Sequence, residues 1–348
     1  MRKAFKAYDI RGIYNKDFNK EDVYKIGFFL PGLLKATNVL VGRDVRESST
    51  EVFEALSQGI TDAGADVSDA GLCTTPMVYW GTAKYDFDAS VQITASHNPK
   101  EYNGLKVSKT NALPVGFDSG LRQLLELAEN EEVKPVATKG EIKRFDFRKE
   151  YIDFQKSFQN DHSNLKVVAD CSNGMAGLII KKIAGKNVTY LNFTPDGTFP
   201  NHEPNPLVEE NAAMLKEAVA NQKADVGVMF DGDADRATFV DEEGRFVSPD
   251  LIIALLGNHF LKGKESGQRV LQDIRSSKAV GEYLEHFGAE MHTWRVGRAY
   301  AALKLREIDG VFGGELAGHY YFKDFYYSDS AILAFTLVLN ILSDLKSQ

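Results

Sequence analysis

The sequence predicts three similar α/β domains with mixed, largely parallel sheets, and three observations carry that prediction. Short apolar runs alternate with stretches of helical periodicity along most of the chain, the pattern of strands alternating with helices. The alternation then restarts twice, with early strands ending at Asp44, Asp170 and Asp273, each leading through a polar loop into a helix. Each round also holds a later strand, preceded by Asp88, Asp225 or Asp309, that runs into a second polar loop. Those later loops carry Ser96, the acidic cluster Asp231, Asp233 and Asp235, and Glu315 with His319. Such repetition marks a repeated supersecondary unit. Ligands of open α/β sheets bind beyond the carboxyl ends of the strands, so the three loops are expected around one central cleft. At 348 residues the chain is long for a single core, and the expected domains are 1–145, 146–248 and 249–348.

Taken in order, residues 21–36 read as a helix, Val39–Asp44 as a strand and 50–63 as a helix. Ala89–Ile93 is a strand that delivers the loop Thr94-Ala-Ser-His-Asn-Pro99. The charged, weakly alternating stretch Glu131–Lys149 places the first boundary. Val167–Asp170 begins the second round, followed by the small-residue loop Cys171–Gly177 and a helix. Thr194–Pro206, rich in Pro, Asn and Gly, reads as a long connection, and a helix is expected over 211–221. Strands follow at Val226–Phe230 and Ala237–Val240. The third round has a strand at Val270–Asp273, a helix opened by Ile274–Ser277, and a later strand at Gly310–Gly313. Ala331–Leu342 is too short to span a bilayer and contains Asn340, which makes it a buried helix.

Composition excludes several function classes. With 43% hydrophobic and 26% charged residues, the chain is that of an ordinary globular protein. A net charge of -8 argues against a dedicated nucleic-acid binder. Two cysteines, Cys73 and Cys171, lie far apart without metal-ligand spacing, so a reducing cytoplasm is expected rather than a disulfide framework. The N-terminus lacks the apolar core of a signal peptide. No membrane or nucleic-acid partner is expected.

The strongest local signal is Asp231-Gly-Asp-Ala-Asp-Arg236, set between two apolar strands. Three carboxylates within five residues repel one another unless a cation joins them. An all-oxygen donor set favours a hard ion such as Mg²⁺ over zinc. Arg236, alongside, suits an anion such as phosphate. The alternatives are an acidic surface turn and an EF-hand loop. Asp231, Asp233, Asp235 and Glu242 do match EF-hand positions 1, 3, 5 and 12, but position 6 needs a sharply turning Gly and is Arg236. Ser96 lacks the Gly-x-Ser-x-Gly surroundings of a hydrolase nucleophile. His97 is adjacent, and neighbouring side chains in an extended loop diverge, so a Ser–His base pair is not expected. A hydroxyl combined with a magnesium site and several cations suits phosphoryl transfer.

Together, Thr94-Ala-Ser-His-Asn-Pro99, Asp231-Gly-Asp-Ala-Asp-Arg236 and Gly313-Gly-Glu-Leu-Ala-Gly-His319 resemble the α-D-phosphohexomutases, most of all their phosphomannomutase/phosphoglucomutase group. The opening Ala7-Tyr-Asp-Ile-Arg-Gly12 adds to the match, which runs end to end. The resemblance implies an enzyme that interconverts hexose 1-phosphate and hexose 6-phosphate of mannose or glucose through a bisphosphorylated intermediate. Ser96 would be the phosphoserine, and it would complete a Mg²⁺ site with Asp231, Asp233 and Asp235. Arg11, Lys106 and His319 would lie near the transferring group as proton carriers or charge stabilisers; for Arg11, always charged, stabilisation is the better role. Tyr8, Arg236, Arg275 and Glu315 would bind the sugar phosphate, and a hexose 1,6-bisphosphate would act as activator.

Two residues depart from the family pattern. Ala317 stands where a Ser is usual, and Arg298 where many members carry His. The family's C-terminal fourth domain, whose Arg-x-Ser loop grips the non-reacting phosphate, has no counterpart in these residues. Either a truncated chain or a natural protein without that clamp is expected, truncation being preferred, with impaired turnover in both cases. Phosphoglucosamine mutase and a non-catalytic phosphosugar-binding paralogue remain as alternatives.

Overall fold

The computed structural model describes residues 1–185 and 187–348. By their internal contacts they form two compact units, Met1–Tyr151 with Asp196–Thr198, and Ile152–Pro195 with Phe199–Gln348.

The first unit runs β1 (Ile10–Ile13), α1 (Lys20–Leu34), β2 (Asn38–Arg43), α2 (Ser49–Asp62), β3 (Asp66–Leu72), α3 (Thr75–Lys84), β4 (Ala89–Ile93), β5 (Tyr102–Lys109), β6 (Leu113–Pro114), α4 (Leu121–Asn130) and β7 (Ile142–Arg144). The division between units falls inside α5 (Arg148–Lys156). The second unit continues with β8 (Val167–Asp170), α6 (Ile180–Ile183), β9 (Val188–Leu191), α7 (Ala213–Gln222), β10 (Val226–Phe230), β11 (Ala237–Asp241) and β12 (Phe246–Val247). It closes with α8 (Pro249–Leu261), β13 (Gln268–Asp273), α9 (Lys278–His286), β14 (Ala289–Trp294), α10 (Arg298–Glu307), β15 (Phe312–Gly314), β16 (Tyr320–Phe322), β17 (Ser328–Asp329) and α11 (Ala331–Lys346).

Three sheets repeat one plan. Their orders are β3-β2-β4-β5-β1 (with β7 added outside β3), β9-β8-β10-β11-β12 and β14-β13-β15-β16-β17. In each, the early strand lies between two parallel neighbours, and an antiparallel pair completes the far side. The fold is three mixed α/β domains, as the alternation predicts.

The repeated aspartates have repeated work. Asp44, Asp170 and Asp273 each accept the backbone N–H two residues on, from Arg46 at 3.0 Å, Ser172 at 2.8 Å and Arg275 at 2.8 Å. This is an Asx-turn at the end of each early strand. Asp88 and Asp225 accept N–H groups just before their neighbouring early strands, from Thr37 at 2.9 Å and Lys166 at 2.7 Å. Asp309 departs, binding Tyr327 Oη at 2.8 Å and Lys323 Nζ at 2.7 Å.

Central strands such as Val226–Phe230 are buried at every position, which explains their continuous apolar run. Helix α11 is buried along most of its length and capped by Ser330 Oγ, which accepts from Leu333 N at 3.2 Å. Its Asn340 donates to Phe158 O at 2.7 Å and accepts from Asn160 N at 2.9 Å. Among the described residues no helix is long and apolar enough to cross a membrane.

Two local expectations need correction. After Cys171–Gly177 the chain makes a 3₁₀ turn at Met175–Leu178 and then only the single turn of α6. The small residues there serve close backbone approach: a Cβ on Gly174 would sit 2.6 Å from Gly232 O. The later strand of the third round is Phe312–Gly314 rather than Gly310–Gly313, because its register with β13 starts at Phe312 opposite Val270 and ends at Gly314 opposite Gln272.

Candidate active site

In the first unit the chain leaves β4 at Ile93 and re-enters the sheet at β5, and the connection carries Ser96. Ser96 is buried and holds a left-handed φ of 53°, unusual for a residue with a Cβ. Its N–H donates to Thr94 Oγ1 at 2.9 Å. The expectation that His97 diverges is wrong: Ser96 Oγ lies 3.3 Å from His97 Nδ1. The left-handed residue folds the loop back, so adjacent side chains meet as they would not in extended chain.

Beneath this loop lies Arg46, fully buried. Its Nη1 donates to Pro99 O at 2.7 Å and Tyr102 O at 3.0 Å; its Nη2 donates to Ser96 O at 2.9 Å and Asn98 O at 2.7 Å. Its Nε donates to Asp44 Oδ2 at 3.1 Å. Arg11 joins the loop from β1, with Nη1 donating to Asn98 Oδ1 at 3.0 Å and Nη2 paired with Asp9. Arg11 pairs with Gly104 in the ladder, and Lys106 lies two residues on along β5, so both side chains belong to one face of the sheet. Tyr8 is 41% exposed on the bend before β1.

In the second unit the acidic loop joins β10 to β11, and Asp231, Asp233 and Asp235 are all buried. One carboxylate oxygen from each lies within 4.8 Å of the others. Asp231 Oδ1 accepts from Asp235 N and Arg236 N, both at 3.1 Å, so the loop closes on its own first carboxylate. Ala234, at φ 62°, supplies the reversal. Three buried carboxylates with no sulfur donor among them fit a hard divalent cation.

The loop Glu315–His319 joins β15 to β16 and meets the acidic loop directly: Ala237 N donates to Gly318 O at 3.1 Å, and Tyr320 Oη to Ala237 O at 3.3 Å. Gly318, at φ 81°, is the left-handed residue of this third loop. Glu315 Oε1 accepts from Gly297 N and Tyr321 Oη, both at 2.9 Å. Burial pushes the Glu315 carboxyl up, but His319, Tyr321 and the Gly297 N–H outweigh it and hold the pKa below the ordinary value.

His319 is ringed by charge. Its Nε2 lies 3.4 Å from Asp235 Oδ1 and 3.7 Å from Asp329 Oδ2, and its Nδ1 lies 3.4 Å from Glu315 Oε2. Burial and the Arg236 guanidinium oppose protonation, yet Asp235 and Glu315 outweigh them and lift the pKa to about 9. Arg236 Nε sits 3.1 Å from His319 Nε2, a hydrogen bond that only the neutral ring accepts. Two states are therefore built in: imidazolium held by Asp235, or neutral ring held by Arg236. A cation on the carboxylates withdraws the Asp235 charge and favours the neutral one.

Arg275 is bound to Asp273 through Nη2 at 2.7 Å and stays 44% exposed. Asp273 Oδ2 also accepts from Leu316 N at 3.1 Å, which ties Arg275 to the Glu315 loop. Ala317, beside Glu315, is buried. Arg298 Nε lies 3.4 Å from Asp329 Oδ1.

Of the residues singled out in the sequence, the first unit brings Ser96 and Arg11 to one loop with Lys106 on the adjoining strand. The second brings together the three aspartates, Arg236, His319 and Glu315, with Arg275 one residue contact away. Three participants escaped sequence reasoning, Arg46, Tyr321 and Asp329, and a fourth, His97, was weighed and set aside. For Arg46 a signal existed, since Asp44-Val-Arg46 repeats the spacing of Asp273-Ile-Arg275.

Comparison with known proteins agrees with this architecture. Three family profiles match in succession, described as phosphoglucomutase/phosphomannomutase alpha/beta/alpha domains I, II and III, over residues 2–132, 149–244 and 248–348. A phosphomannomutase of Escherichia coli is 37% identical, the match covering 99% of this chain and 79% of that protein. A Xanthomonas campestris protein named for phosphohexose mutases is 36% identical over 98% of this chain and 77% of its own length. Among solved structures, a phosphoglucomutase/phosphomannomutase family protein of Burkholderia thailandensis superposes with a TM-score of 0.92 at 28% identity, covering 99% of this chain and 77% of that one. The chain belongs to the α-D-phosphohexomutase family and is a mutase, an intramolecular phosphotransferase.

Proposed function

We propose that this enzyme interconverts the 1-phosphate and 6-phosphate of mannose or glucose, with Ser96 as the phosphoryl carrier. The observation that carries the reading is the direct backbone joining of the buried three-aspartate loop to the Glu315–His319 loop. This joining supports an oxygen-only cation site beside a carboxylate and a histidine suited to sugar hydroxyls and their protons. The identity to a phosphomannomutase supports the hexose substrate.

In this reading the phosphoryl group leaves Ser96 Oγ for a free hydroxyl of the hexose phosphate, whose proton passes to a nearby base while the departing Oγ takes a proton from His97, giving a hexose 1,6-bisphosphate and a free serine hydroxyl. The second transfer runs from the other end of the bisphosphate back to Ser96 Oγ, restoring the phosphoserine and releasing the isomer. A hexose 1,6-bisphosphate supplied from outside phosphorylates Ser96 by the same second step and so acts as activator. Asp231, Asp233 and Asp235 would hold Mg²⁺, which when bound would supply positive charge to offset that of the phosphoryl group. His97 Nδ1, 3.3 Å from Ser96 Oγ, receives the hydroxyl proton when the serine is the acceptor. Arg11 and Lys106 contribute fixed positive charge. Neutral His319 is the proton acceptor on the sugar side, and Arg236 orients it. Glu315 accepts from sugar hydroxyls, with Tyr8 and the half-exposed Arg275 as further substrate contacts. The domain limits we assign are 1–145, 146–248 and 249–348, and a cytoplasmic setting suits two buried, unpaired thiols.

A coupled assay on mannose 1-phosphate, glucose 1-phosphate and glucosamine 1-phosphate, with and without chelator, tests the reading. Turnover of mannose or glucose phosphate that needs Mg²⁺ and a trace of bisphosphate is expected. Exclusive turnover of the glucosamine phosphate, or turnover indifferent to chelator, contradicts it.

A further inference from the structure

We propose that Arg46 is a positioning residue that holds Ser96 in its reactive geometry, an inference that rests on reading Ser96 as the phosphoryl carrier. A guanidinium has five N–H bonds in a rigid fork. At Arg46 these five meet five acceptors: Asp44 Oδ2 and the carbonyls of Ser96, Asn98, Pro99 and Tyr102. The serine loop is thus wound around one buried cation, whose charge Asp44 balances. Asp44 is itself fixed by Arg46 N at 3.0 Å and Ser49 Oγ at 2.6 Å, so the support reaches the first turn of α2.

The arrangement accounts for the backbone at Ser96. A left-handed φ on a residue with a Cβ is strained and persists only where its surroundings enforce it. Arg46 Nη2 grips the carbonyl of Ser96 itself and that of Asn98 two residues later. Because a trans peptide sets N–H opposite C=O, fixing the Ser96 carbonyl also fixes the direction of the His97 amide. The same hold therefore sets both partners of the Ser96 Oγ to His97 Nδ1 contact.

Comparison within the chain separates this role from ligand binding. Arg275 follows Asp273 at the same spacing, but it stays 44% exposed and bonds to Asp273 Oδ2 through Nη2 at 2.7 Å and Nε at 3.3 Å. Arg46 directs four N–H bonds to the carbonyls of Ser96, Asn98, Pro99 and Tyr102 and the fifth to Asp44. One Asp-x-Arg device thus serves a ligand in the third domain and the serine loop in the first.

The test compares Arg46→Lys and Arg46→Gly with the parent enzyme, alongside Ser96→Ala. Measured are mutase kcat and KM, the rate of Ser96 phosphorylation by glucose 1,6-bisphosphate, and thermal stability. Arg46→Lys, whose ammonium cannot reach five acceptors, should lose at least about tenfold in kcat and in the phosphorylation rate, with KM changed by less than about threefold. Arg46→Gly should lose more, and guanidinium at a non-denaturing concentration should restore part of the phosphorylation rate where ammonium at equal strength does not. Should Arg46→Gly fail to fold, the kcat and KM of Arg46→Lys decide. A folded Arg46→Lys with parental kcat and phosphorylation rate overturns the proposal, as does a rescue of melting temperature without rescue of rate. If Ser96 of the parent accepts phosphate and Ser96→Ala is inactive, such failures fall on Arg46 alone. A parent enzyme that turns over without phosphate on Ser96, and an active Ser96→Ala, overturn the carrier reading and this inference with it.

Discussion

Asp231 and Asp233 share a loop and a charge but do different work. Asp231 Oδ1 accepts two backbone N–H groups and so shapes the loop, whereas Asp233 contributes its carboxylate to the cluster. Asp233→Asn should raise the Mg²⁺ concentration for half-maximal activity at least about tenfold while leaving the melting temperature in chelator unchanged or higher, since it relieves carboxylate repulsion. Asp231→Ala should instead lower stability by about 1–3 kcal/mol, because it strands buried N–H donors. Magnesium titrations and thermal melts of the two variants separate these roles. A second residue-scale prediction concerns His202, whose Nε2 lies 3.2 Å from buried Asp170 Oδ2. Burial lowers its pKa, but the Asp170 bond and charge outweigh that and raise it above 6.5. A raised folded pKa stabilises fully below the unfolded value near 6.5 and loses that contribution as pH climbs through the folded value. The stability gap between the parent and His202→Gln should therefore be widest at pH 5.5 and narrow toward pH 9 in denaturant titrations; a gap that widens with pH would refute the pairing.

The three loops after β4, β10 and β15 each contain one left-handed residue, at Ser96, Ala234 and Gly318. The repeat thus extends from sheet order to the backbone of the loops. At Gly318 a Cβ would also lie 2.9 Å from Ala237 O, in the backbone that joins the acidic loop to the Glu315–His319 loop. Gly318→Ala should cost about 1–3 kcal/mol and reduce mutase activity, read from melts and initial rates; a neutral substitution would show that the junction yields. At the far end of the unit, Asn340→Leu should destabilise by about 1–3 kcal/mol by stranding Phe158 O and Asn160 N, with KM unaffected. These elements were legible to different degrees. Val226–Phe230 could be read to the residue, because continuous burial leaves a continuous apolar run, and so could Ala89–Ile93, although its buried positions include Ser90 and Gln92. The acidic loop was equally plain, since three close carboxylates have few other uses. Arg46 was not, because its partners are carbonyls 50 to 56 residues away, and a backbone carbonyl leaves no mark in a sequence. His97 was misjudged for a related reason: which way adjacent side chains point depends on a φ that Ser96 does not advertise.

At the scale of the whole molecule, one α/β plan has been used three times, and each copy has placed different chemistry on the same connection: a hydroxyl, a set of carboxylates, and a carboxylate with a histidine. Specialisation lies in the loops, while the aspartates that end the early strands keep one job throughout. The central claim is that phosphate passes through Ser96 under the control of the three aspartates. The most direct measurement incubates the enzyme with labelled glucose 1,6-bisphosphate and Mg²⁺, maps the label by peptide mass spectrometry, and then adds unlabelled hexose 1-phosphate. The account predicts label on Ser96, its discharge to the sugar on the timescale of turnover, and neither event in Asp233→Asn. Turnover with Ser96 unlabelled throughout would contradict it.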